Sequence, residues 1–476
     1  MKNNRRDFLK MTGLLGIGVA GSGIIGCARR ASSNEPYQHT HRQVFNMSGY
    51  RAPQLDVVRV GIVGLGNRGT GTVRRLSSIE GVEIRGLCDV EPDRVKRSVD
   101  MIAHMDRHKP EVYTGDEDAW KRMCESPDID LIAIATPWHL HTPQCVYSME
   151  NDKHAYVELP AATTVEECWE LVETSERTRK HCVQMSSSCS GGMQAIVLNM
   201  VREGVFGDII HAEGAYIHDL LLGFNFTKHM YHDMWRLREN IGRSGNLYPQ
   251  HGFVPIIQMM DINYGDKMEY MSSVSSDDFH MAKTAERLAA EDDFWNEFVG
   301  RDYRGNLSTS IIRTNKGRTI MLQHDVSSPR PDVRFHLISG SEGIYKARPN
   351  RVAYSHHGWI SDEDFRELAE KYNPEINDRF EEYTRQAEQV QRGGHSYFRT
   401  THTDWRLIDC LRNGLPVDMD VYEAAASSVV TPLSVWSAAN DAASVAVPDF
   451  TSGKWETNER GMDINFTRGG GNTRLV

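Results

Sequence analysis

The stretch that most constrains this chain is a glycine-rich turn between an apolar strand and a helix. Val57–Val63 is rich in β-branched residues, which predicts a buried parallel strand. It runs directly into G-x-G-x-x-G spacing, whose glycines are Gly64, Gly66 and Gly69. The first permits a tight turn, the second leaves room for a pyrophosphate, and the third lets a helix pack closely. A second apolar strand ends at Asp89, about 20 residues later, where an acid is placed to meet ribose hydroxyls.

This order of strand, turn, helix, strand and acid predicts a dinucleotide site with its phosphates at the helix N-terminus. An acid at the ribose favours NAD over NADP, because it would repel a 2′-phosphate. A further parallel strand, 128–135, ends at Thr136-Pro137-Trp138-His139-Leu140-His141. Loops at the carboxyl ends of such strands line the ligand crevice, so we expect Thr136, Trp138 and His141 at the cofactor. The alternative for each histidine here is polar packing.

The first residues predict export. Arg5-Arg6 forms a twin-arginine pattern, and residues 11–25 are apolar but too short and glycine-rich for a comfortable membrane span. Ile24-Ile25-Gly26-Cys27 resembles a lipoprotein processing box, which predicts lipidation of Cys27; the alternative is a thiol in a cleaved peptide. We therefore expect a signal over 1–27, a polar tether over 28–55 and a periplasmic or outer-membrane-anchored lipoprotein. The twin-arginine route carries folded proteins, which suits a cofactor loaded before export.

Composition narrows the classes of partner. The net charge of −11 argues against nucleic acid, and membrane contact is expected only through the lipid anchor. Seven cysteines follow Cys27 without a C-x-x-C pair, which indicates buried thiols and neither a disulfide framework nor a metal site.

The remaining length, roughly 420 residues, suits two domains. The predicted fold class is α/β: a Rossmann dinucleotide-binding domain over 56–187, then an α+β domain over 188–476 with an open, mainly antiparallel sheet. The strands expected in that sheet are 208–218, 270–276, 309–314, 319–325 and 333–339.

A tyrosine and a histidine form the candidate catalytic pair. Gly245 and Pro249 break the chain before the apolar run 253–260, so His251 falls in the first turn of a helix. A helix N-terminus disfavours imidazolium, which predicts a neutral histidine competent as a base. Tyr248 precedes it by three residues and can face the same side. The alternative is a capping histidine and a core tyrosine.

Two family resemblances follow from these motifs. The glycine turn, Asp89, the Thr136–His141 run and Glu158-Leu159-Pro160 resemble, in this order, the Gfo/Idh/MocA oxidoreductase family. Most of its members have a catalytic lysine where this chain has Leu159, which weakens the interpretation as a plain dehydrogenase. From about residue 57 to 455 the chain is similar to glycoside hydrolase family 109, the NAD-dependent α-N-acetylgalactosaminidases. Trp235–Arg238, Gly245–Gly252 and Gln323–Pro331 are among the stretches that carry this second likeness.

The second resemblance implies roles residue by residue. Tyr248 and His251 match its active-site tyrosine and histidine, and Tyr248 is also expected to touch substrate. The positions expected to hold the cofactor, beyond those above, are Asn67, Arg68, Glu158, Leu159 and Ser187. The positions expected to contact substrate are Tyr216, Arg236 and Asp332. For Arg236 the residues alone leave two options, a grip on a sugar hydroxyl or a surface ion pair.

Two departures concern the sugar pocket. Ser190 stands where the family has a tyrosine implicated in acid/base work, and Asp332 replaces a second family tyrosine. The resemblance implies a carbohydrate substrate, an N-acetylgalactosaminide or related glycoside. It also implies cleavage by transient C3 oxidation, elimination, water addition and re-reduction with recycled NAD. The alternatives are a glycoside 3-dehydrogenase and a non-catalytic sugar-binding lipoprotein. In the family the open sheet often forms a subunit contact, so a homo-oligomer fits this sequence.

Overall fold

The computed structural model describes Tyr37 and residues 39–186, 191–391 and 400–476. Three of the predicted features lie outside the described residues: the signal with Cys27, the cofactor contact Ser187, and Ser190. What the sequence predicts for them therefore stays a prediction. In the described part of the chain, every helix is too short or too polar to cross a bilayer.

The first half of the chain folds into a six-stranded parallel sheet with the order β3-β2-β1-β4-β5-β6. This is the order typical of dinucleotide-binding folds, and the ligand crevice lies where the order reverses, beside β1 and β4. The strands are β1 Val58–Val63, β2 Val82–Cys88, β3 Glu111–Tyr113, β4 Leu131–Ile134, β5 His154–Val157 and β6 Cys182–Gln184. The helices are α1 Asn67–Ser77, α2 Pro92–Ile102, α3 Ala119–Glu125, α4 His141–Glu150 and α5 Val165–Thr178.

The second half contains a nine-stranded sheet with the order β14-β13-β12-β11-β7-β10-β9-β8-β15. All neighbours in it are antiparallel except β7 and β10. Its strands are β7 Ile209–Ile217, β8 Met268–Ser275, β9 Leu307–Thr314, β10 Thr319–Asp325, β11 Val333–Gly340, β12 Gly343–Lys346, β13 Arg351–Tyr354, β14 Gly358–Trp359 and β15 Val445–Ala446. The helices are α6 Met193–Arg202, α7 Trp235–Arg238, α8 Gln250–Met259, α9 Met281–Ala289, α10 Asp362–Lys371, α11 Glu375–Gln391, α12 His402–Asn413 and α13 Val421–Ala439.

The predicted fold class is confirmed, as are the five strands expected in the mainly antiparallel sheet. The short strands β12 to β15 were not expected. The predicted domain boundary near residue 187 stays a prediction, because the chain from 187 to 190 is outside the described residues. The cysteines in the described part of the chain are free and buried, as predicted, and they are Cys88, Cys124, Cys145, Cys168, Cys182 and Cys410.

Helix α8 lies unusually close to strand β7. A Cβ atom on Gly214 of β7 would fall 2.2 Å from the carbonyl oxygen of Gly252 on α8. The absence of both side chains therefore lets the helix backbone approach the strand backbone. This contact places His251, at the start of α8, against Tyr216, near the end of β7.

The segment expected as a polar tether is docked on the folded body in its described part, from Tyr37 onward, where the Tyr37 hydroxyl donates to the Ala446 carbonyl at 2.9 Å. His39 and His41 pack their rings on Trp169 of α5, with centroids 4.7 and 5.0 Å away. The Met47 side chain is buried, and its backbone N–H donates to the Tyr422 hydroxyl at 3.2 Å. Polar composition suggested a linker, but scattered apolar and aromatic residues dock this part of it on the folded body.

Candidate active site

A cavity of about 870 Å³ opens at the carboxyl ends of β1, β2, β4 and β5, and residues of the second half also line it. The predicted residues in its lining are Gly64, Gly66, Asn67, Arg68, Asp89, Thr136, Trp138, His141, Glu158, Leu159, Tyr216, Arg236 and Tyr248. Gly69, His251 and Asp332 do not line it. Gly64 and Tyr248, which are 184 positions apart in the sequence, therefore line one crevice.

The glycine turn has the geometry that a bound dinucleotide needs. Gly64 has a φ of +84°, and a Cβ there would lie 2.7 Å from the Ala135 backbone. A Cβ on Gly69 would fall 1.7 Å from the Gly64 carbonyl oxygen. Gly66 faces open space instead, with Arg94 Nη1 nearest at 3.8 Å, and no side chain caps the first turn of α1. These residues therefore fit NAD, with the first N–H groups of α1 available to its phosphates.

Asp89 lines the cavity and also accepts hydrogen bonds from the backbone of the glycine turn. Its Oδ2 accepts the Leu65 N–H at 2.6 Å, and its Oδ1 accepts the Glu91 N–H at 2.9 Å. Arg94 Nη1 lies 3.8 Å from Oδ1 and also lines the cavity, a residue that sequence reasoning missed. A carboxylate has about four acceptor positions, so these contacts leave room for the predicted ribose hydroxyls.

His141 ties together the loops that follow β4 and β5. Its Nδ1 lies 2.7 Å from the Pro160 carbonyl oxygen, and its Nε2 lies 2.8 Å from that of Thr136. The Thr136 hydroxyl donates to Gln144 at 2.7 Å. Burial lowers the pKa of His141, and the two carbonyl contacts oppose that shift. His141 lines the cavity, but both of its ring nitrogens are taken up by backbone carbonyls. Its role in the structure is therefore to hold the two loops that form the wall of the crevice.

Arg68 and Glu158 are neighbours in the lining of the cavity. Arg68 Nε lies 3.9 Å from Glu158 Oε1, and the charge of Glu158 is the largest cause of the raised pKa of Arg68. One residue belongs to α1 and the other follows β5. The two predicted cofactor contacts therefore lie side by side, although they come from different elements of the chain.

Tyr248, His251 and Tyr216 form a compact group of rings. The His251 ring lies 4.9 Å from that of Tyr248 and 4.6 Å from that of Tyr216, while the two tyrosine rings are 5.5 Å apart. Helix α8 begins at Gln250, so His251 occupies its first turn as expected. The structure thus brings the predicted pair together, beside a residue expected to contact substrate.

The His251 imidazole is buried, with 3% of the residue exposed, and neither ring nitrogen has a hydrogen-bond partner among the described residues. Burial lowers its pKa well below the usual value, and Arg334, Arg68 and Arg236 add to the shift. The ring is therefore neutral at pH 7. A buried polar group without hydrogen-bond partners destabilises the fold. The unpaired imidazole therefore points to a ligand that supplies a hydrogen-bond partner.

The walls around this group are aromatic. Trp138 stacks on Tyr248 with ring centroids 5.3 Å apart, and the Arg236 guanidinium lies 5.4 and 5.2 Å from those two rings. Leu159 is buried in the same apolar cluster. Burial raises the pKa of Tyr248, so its hydroxyl keeps its proton at neutral pH and can donate it in a hydrogen bond.

Strand pairing brings two further residues beside Tyr216 that sequence reasoning missed. His324 on β10 and Arg334 on β11 are its register partners on either side. Arg334 lines the cavity and lies over the Tyr216 ring at 5.8 Å, whereas His324 is buried behind it. Asp332 is exposed and outside the lining, 3.9 Å from Arg334, so the structure brings Arg334, and not Asp332, to the expected substrate side.

His336 supports the start of α8 and predicts a pH dependence of stability. Its Nε2 donates to the His251 carbonyl at 3.1 Å, and burial lowers its pKa to about 4. Its unfolded pKa is about 6.5, so the unfolded state binds the proton first and stability falls as pH drops from 6.5 towards 4. Relative to His336→Gln, we expect the wild type to lose about 2 kcal/mol more between pH 7 and pH 5.

Urea unfolding of the wild type and of His336→Gln at pH 7 and pH 5 measures this difference. The contributions of the other titrating groups are the same in the two proteins and cancel. The exposed His357 gives a matched control, because His357→Gln should follow the wild-type dependence. An equal pH response of wild type and His336→Gln would show that His336 is protonated in the folded state as easily as in the unfolded one.

The parallel sheet, the glycine turn and the acid after β2 define this chain as a Rossmann-fold enzyme that binds NAD. Residues 58–186 match the oxidoreductase family with an NAD-binding Rossmann fold, the Gfo/Idh/MocA family. Residues 193–457 match the C-terminal domain of glycosyl hydrolase 109. The chain belongs to glycoside hydrolase family 109, which confirms the resemblance inferred from its motifs.

Relatives cover nearly the whole chain. A glycosyl hydrolase family 109 protein of Shewanella sp. (strain W3-18-1) is 41% identical over 460 residues, which span 95% of this chain and 97% of the relative. One from Shewanella woodyi is 40% identical over 464 residues, 96% and 98% of the two chains.

Solved structures are similar in fold. Levoglucosan dehydrogenase in complex with NADH superposes with a TM-score of 0.60 at 17% identity, over 82% of this chain and 99% of that one. An NAD binding oxidoreductase from Klebsiella pneumoniae gives a TM-score of 0.60 at 14% identity, over 83% and 100%. The cofactor and the enzyme class follow from the family matches, and these structures share the two-sheet architecture.

Proposed function

We propose that this enzyme is a glycosidase that cleaves an α-N-acetylgalactosaminide or a related glycoside. The residues of the glycine turn would hold NAD, which would supply a hydride acceptor and donor for sugar C3, so that the linkage would open by transient oxidation, elimination, water addition and re-reduction. One observation carries the proposal: the buried His251 imidazole, which has no hydrogen-bond partner among the described residues, packs against Tyr248 and Tyr216, and both tyrosines line the cofactor cavity.

The residues divide the work by position. The Gly64–Gly69 turn and the start of α1 receive the pyrophosphate, and Asp89 lies where the ribose hydroxyls are expected. Glu158, 3.9 Å from Arg68, is suited to orient the ribose at the nicotinamide end. On the other side of the cavity, Tyr216, Arg236 and Arg334 present a phenol and two guanidinium groups to a polar substrate.

Proton transfer falls to His251, with Tyr248 beside it. A neutral imidazole can accept the C3 hydroxyl proton as that carbon is oxidised, and its lowered pKa keeps it neutral at pH 7. Tyr248 remains a phenol and can donate a hydrogen bond to a sugar oxygen. The C2 proton becomes acidic once C3 is a ketone, and its loss to a base drives the departure of the C1 oxygen.

The walls keep water from the reacting carbons. Trp138, Leu159 and Leu220 belong to the same buried apolar cluster as Tyr216 and Tyr248. Hydrogen bonds and charges act more strongly where water is excluded. An aromatic wall beside the polar groups of the cavity therefore suits a reaction in which protons must move only between chosen atoms.

A glycoside 3-dehydrogenase is the second candidate. Ser190 occupies the position of a family tyrosine implicated in acid/base work, and serine cannot replace that acid. A pocket that oxidises C3 but eliminates slowly would release a 3-keto glycoside. Against this candidate, Leu159 stands where Gfo/Idh/MocA dehydrogenases carry their catalytic lysine. A sugar-binding protein without turnover is the third candidate.

An aryl α-N-acetylgalactosaminide mixed with purified enzyme, without added NAD, separates these functions. We expect steady release of the aryl alcohol for many turnovers, because the cofactor ends each cycle in its starting form. Stable absorbance of reduced cofactor without aryl release would identify a dehydrogenase. The absence of both signals, with sugar binding by calorimetry, would identify a binding protein and overturn the proposal.

The proposal includes export of the loaded enzyme. Arg5-Arg6 and Cys27 support a twin-arginine signal followed by a lipid anchor in the periplasm. Since the cofactor is neither consumed nor exchanged in the proposed cycle, an enzyme outside the cytoplasm needs no NAD supply. Cell fractionation of the double variant Arg5→Lys, Arg6→Lys tests the route, and unchanged export of that variant would contradict it.

A further inference from the structure

A cluster of two histidines and two glutamates lies far along the chain from the catalytic pair, where the N-terminal segment meets α5. His39 Nε2 is 2.9 Å from Glu173 Oε1, and His41 Nδ1 is 3.4 Å from the same oxygen. The three ligand atoms all lie within 4.8 Å of one another. None of these residues takes part in the cofactor or sugar site.

The spacing suits a tetrahedral metal ion. Zinc binds imidazole nitrogen and carboxylate oxygen at about 2.0–2.1 Å, which places neighbouring ligand atoms about 3.3 Å apart. The two measured separations, 2.9 and 3.4 Å, are close to that tetrahedral edge. Two imidazoles and one carboxylate are also a donor set that zinc uses in proteins.

A second carboxylate orients one of the ligands. His41 Nε2 lies 3.2 Å from Glu176 Oε1, and Glu176 is buried, with 1% of the residue exposed. Glu176 also accepts the Tyr422 hydroxyl at 2.9 Å and the Val44 N–H at 3.1 Å. A proton on His41 Nε2 directs the Nδ1 lone pair towards Glu173. Metal-binding histidines usually have such a partner on the other ring nitrogen.

The imidazole rings are also fixed by packing. The His39 ring stacks on Trp169 with an interplanar angle of 20°, and the His41 ring contacts the same indole at 5.0 Å. Trp169, Glu173 and Glu176 lie at spacings of four and three residues on α5, which places them on one helix face. The ligand geometry is therefore built by a rigid helix and a docked segment.

We infer that His39, His41 and Glu173 bind one Zn²⁺ ion, with a fourth position open to water. The ion would fasten residues 39–41 to α5. The same distances also suit two protonated imidazoles paired with carboxylates. Measured zinc stoichiometry separates these two arrangements.

The test uses the chain from residue 28 onward after removal of metals with a chelator. Zn²⁺ is titrated by calorimetry, and Co²⁺ absorption reports tetrahedral coordination. We expect one Zn²⁺ per chain, a zinc-dependent rise in Tm, and at least about a tenfold loss of affinity in both His39→Ala and Glu173→Gln. Glu170→Gln, an exposed carboxylate on the same helix, should bind zinc like the wild type.

Aryl glycoside hydrolysis should be equal in all four proteins with and without zinc, because the cluster is separate from the catalytic residues. No stoichiometric zinc on the wild type would overturn the inference. Wild-type affinity in both ligand variants would do so as well, since the ion would then lie elsewhere.

Discussion

His251→Ala is expected to lower turnover by about 10²- to 10⁴-fold, the range attributed to a positioned general base, while NAD remains bound. The imidazole has no partner for either ring nitrogen among the described residues, and it contacts Tyr248 and Tyr216 at the cavity. His251 is outside the lining of the cavity, so we expect the cofactor contacts of the Gly64–Gly69 turn to be unchanged. The measurements are kcat for aryl glycoside release and the NAD released on denaturation.

A second variant distinguishes loss of the catalytic base from loss of side-chain packing. His251→Gln fills most of the space and keeps a polar group, but an amide is not a base near neutral pH. We expect it to be as inactive as the alanine variant and closer to the wild type in Tm. Wild-type turnover in either variant would remove His251 from the proposed mechanism.

Gly69→Ala is expected to abolish NAD retention and to destabilise the protein by about 1–3 kcal/mol, the usual range for overpacking. The new Cβ would fall 1.7 Å from the Gly64 carbonyl oxygen, and neither backbone can move without opening the turn. The pyrophosphate site is formed by that turn, so the cofactor is lost together with the packing. The absorbance of nucleotide in the supernatant after denaturation measures the NAD retained, and urea unfolding measures the loss of stability.

Gly71→Ala is the matched control on the same helix. Its Cβ would meet only Arg75 Nη1, the end of a flexible side chain, at 3.1 Å. Alanine is favoured over glycine within a helix by about 1 kcal/mol, so this variant should keep NAD and be at least as stable as the wild type. Stoichiometric NAD in purified Gly69→Ala would contradict the fit between the turn and the cofactor.

The first sheet could be predicted because its signals are local. Val58–Val63 and Leu131–Ile134 are short apolar runs bounded by glycine or proline turns, and each strand is followed by its helix. The second sheet was predicted only where strands are long. Gly343–Lys346 and Arg351–Tyr354 span four residues each, too few for alternation to distinguish a strand from a loop.

The proximity of Tyr248 and His251, the candidate catalytic pair, could be predicted because both lie at the start of one helix. Pro249 ends the preceding loop, and His251 follows Tyr248 by three positions. Arg334 and His324 could not be found in this way, because they reach the site through pairing with Tyr216 from strands that are more than 100 residues distant in sequence. Register between distant strands depends on packing and leaves no local pattern.

Hydrolysis of the aryl α-N-acetylgalactosaminide in D₂O tests most directly whether the linkage opens by elimination. Removal of the C2 proton and later protonation from solvent should leave one deuterium at C2 of the released sugar. Hydrolysis between two carboxylates never breaks the C2–H bond. Deuterium at C2 is the predicted result, and a released sugar with only protium at C2 would contradict the proposed function.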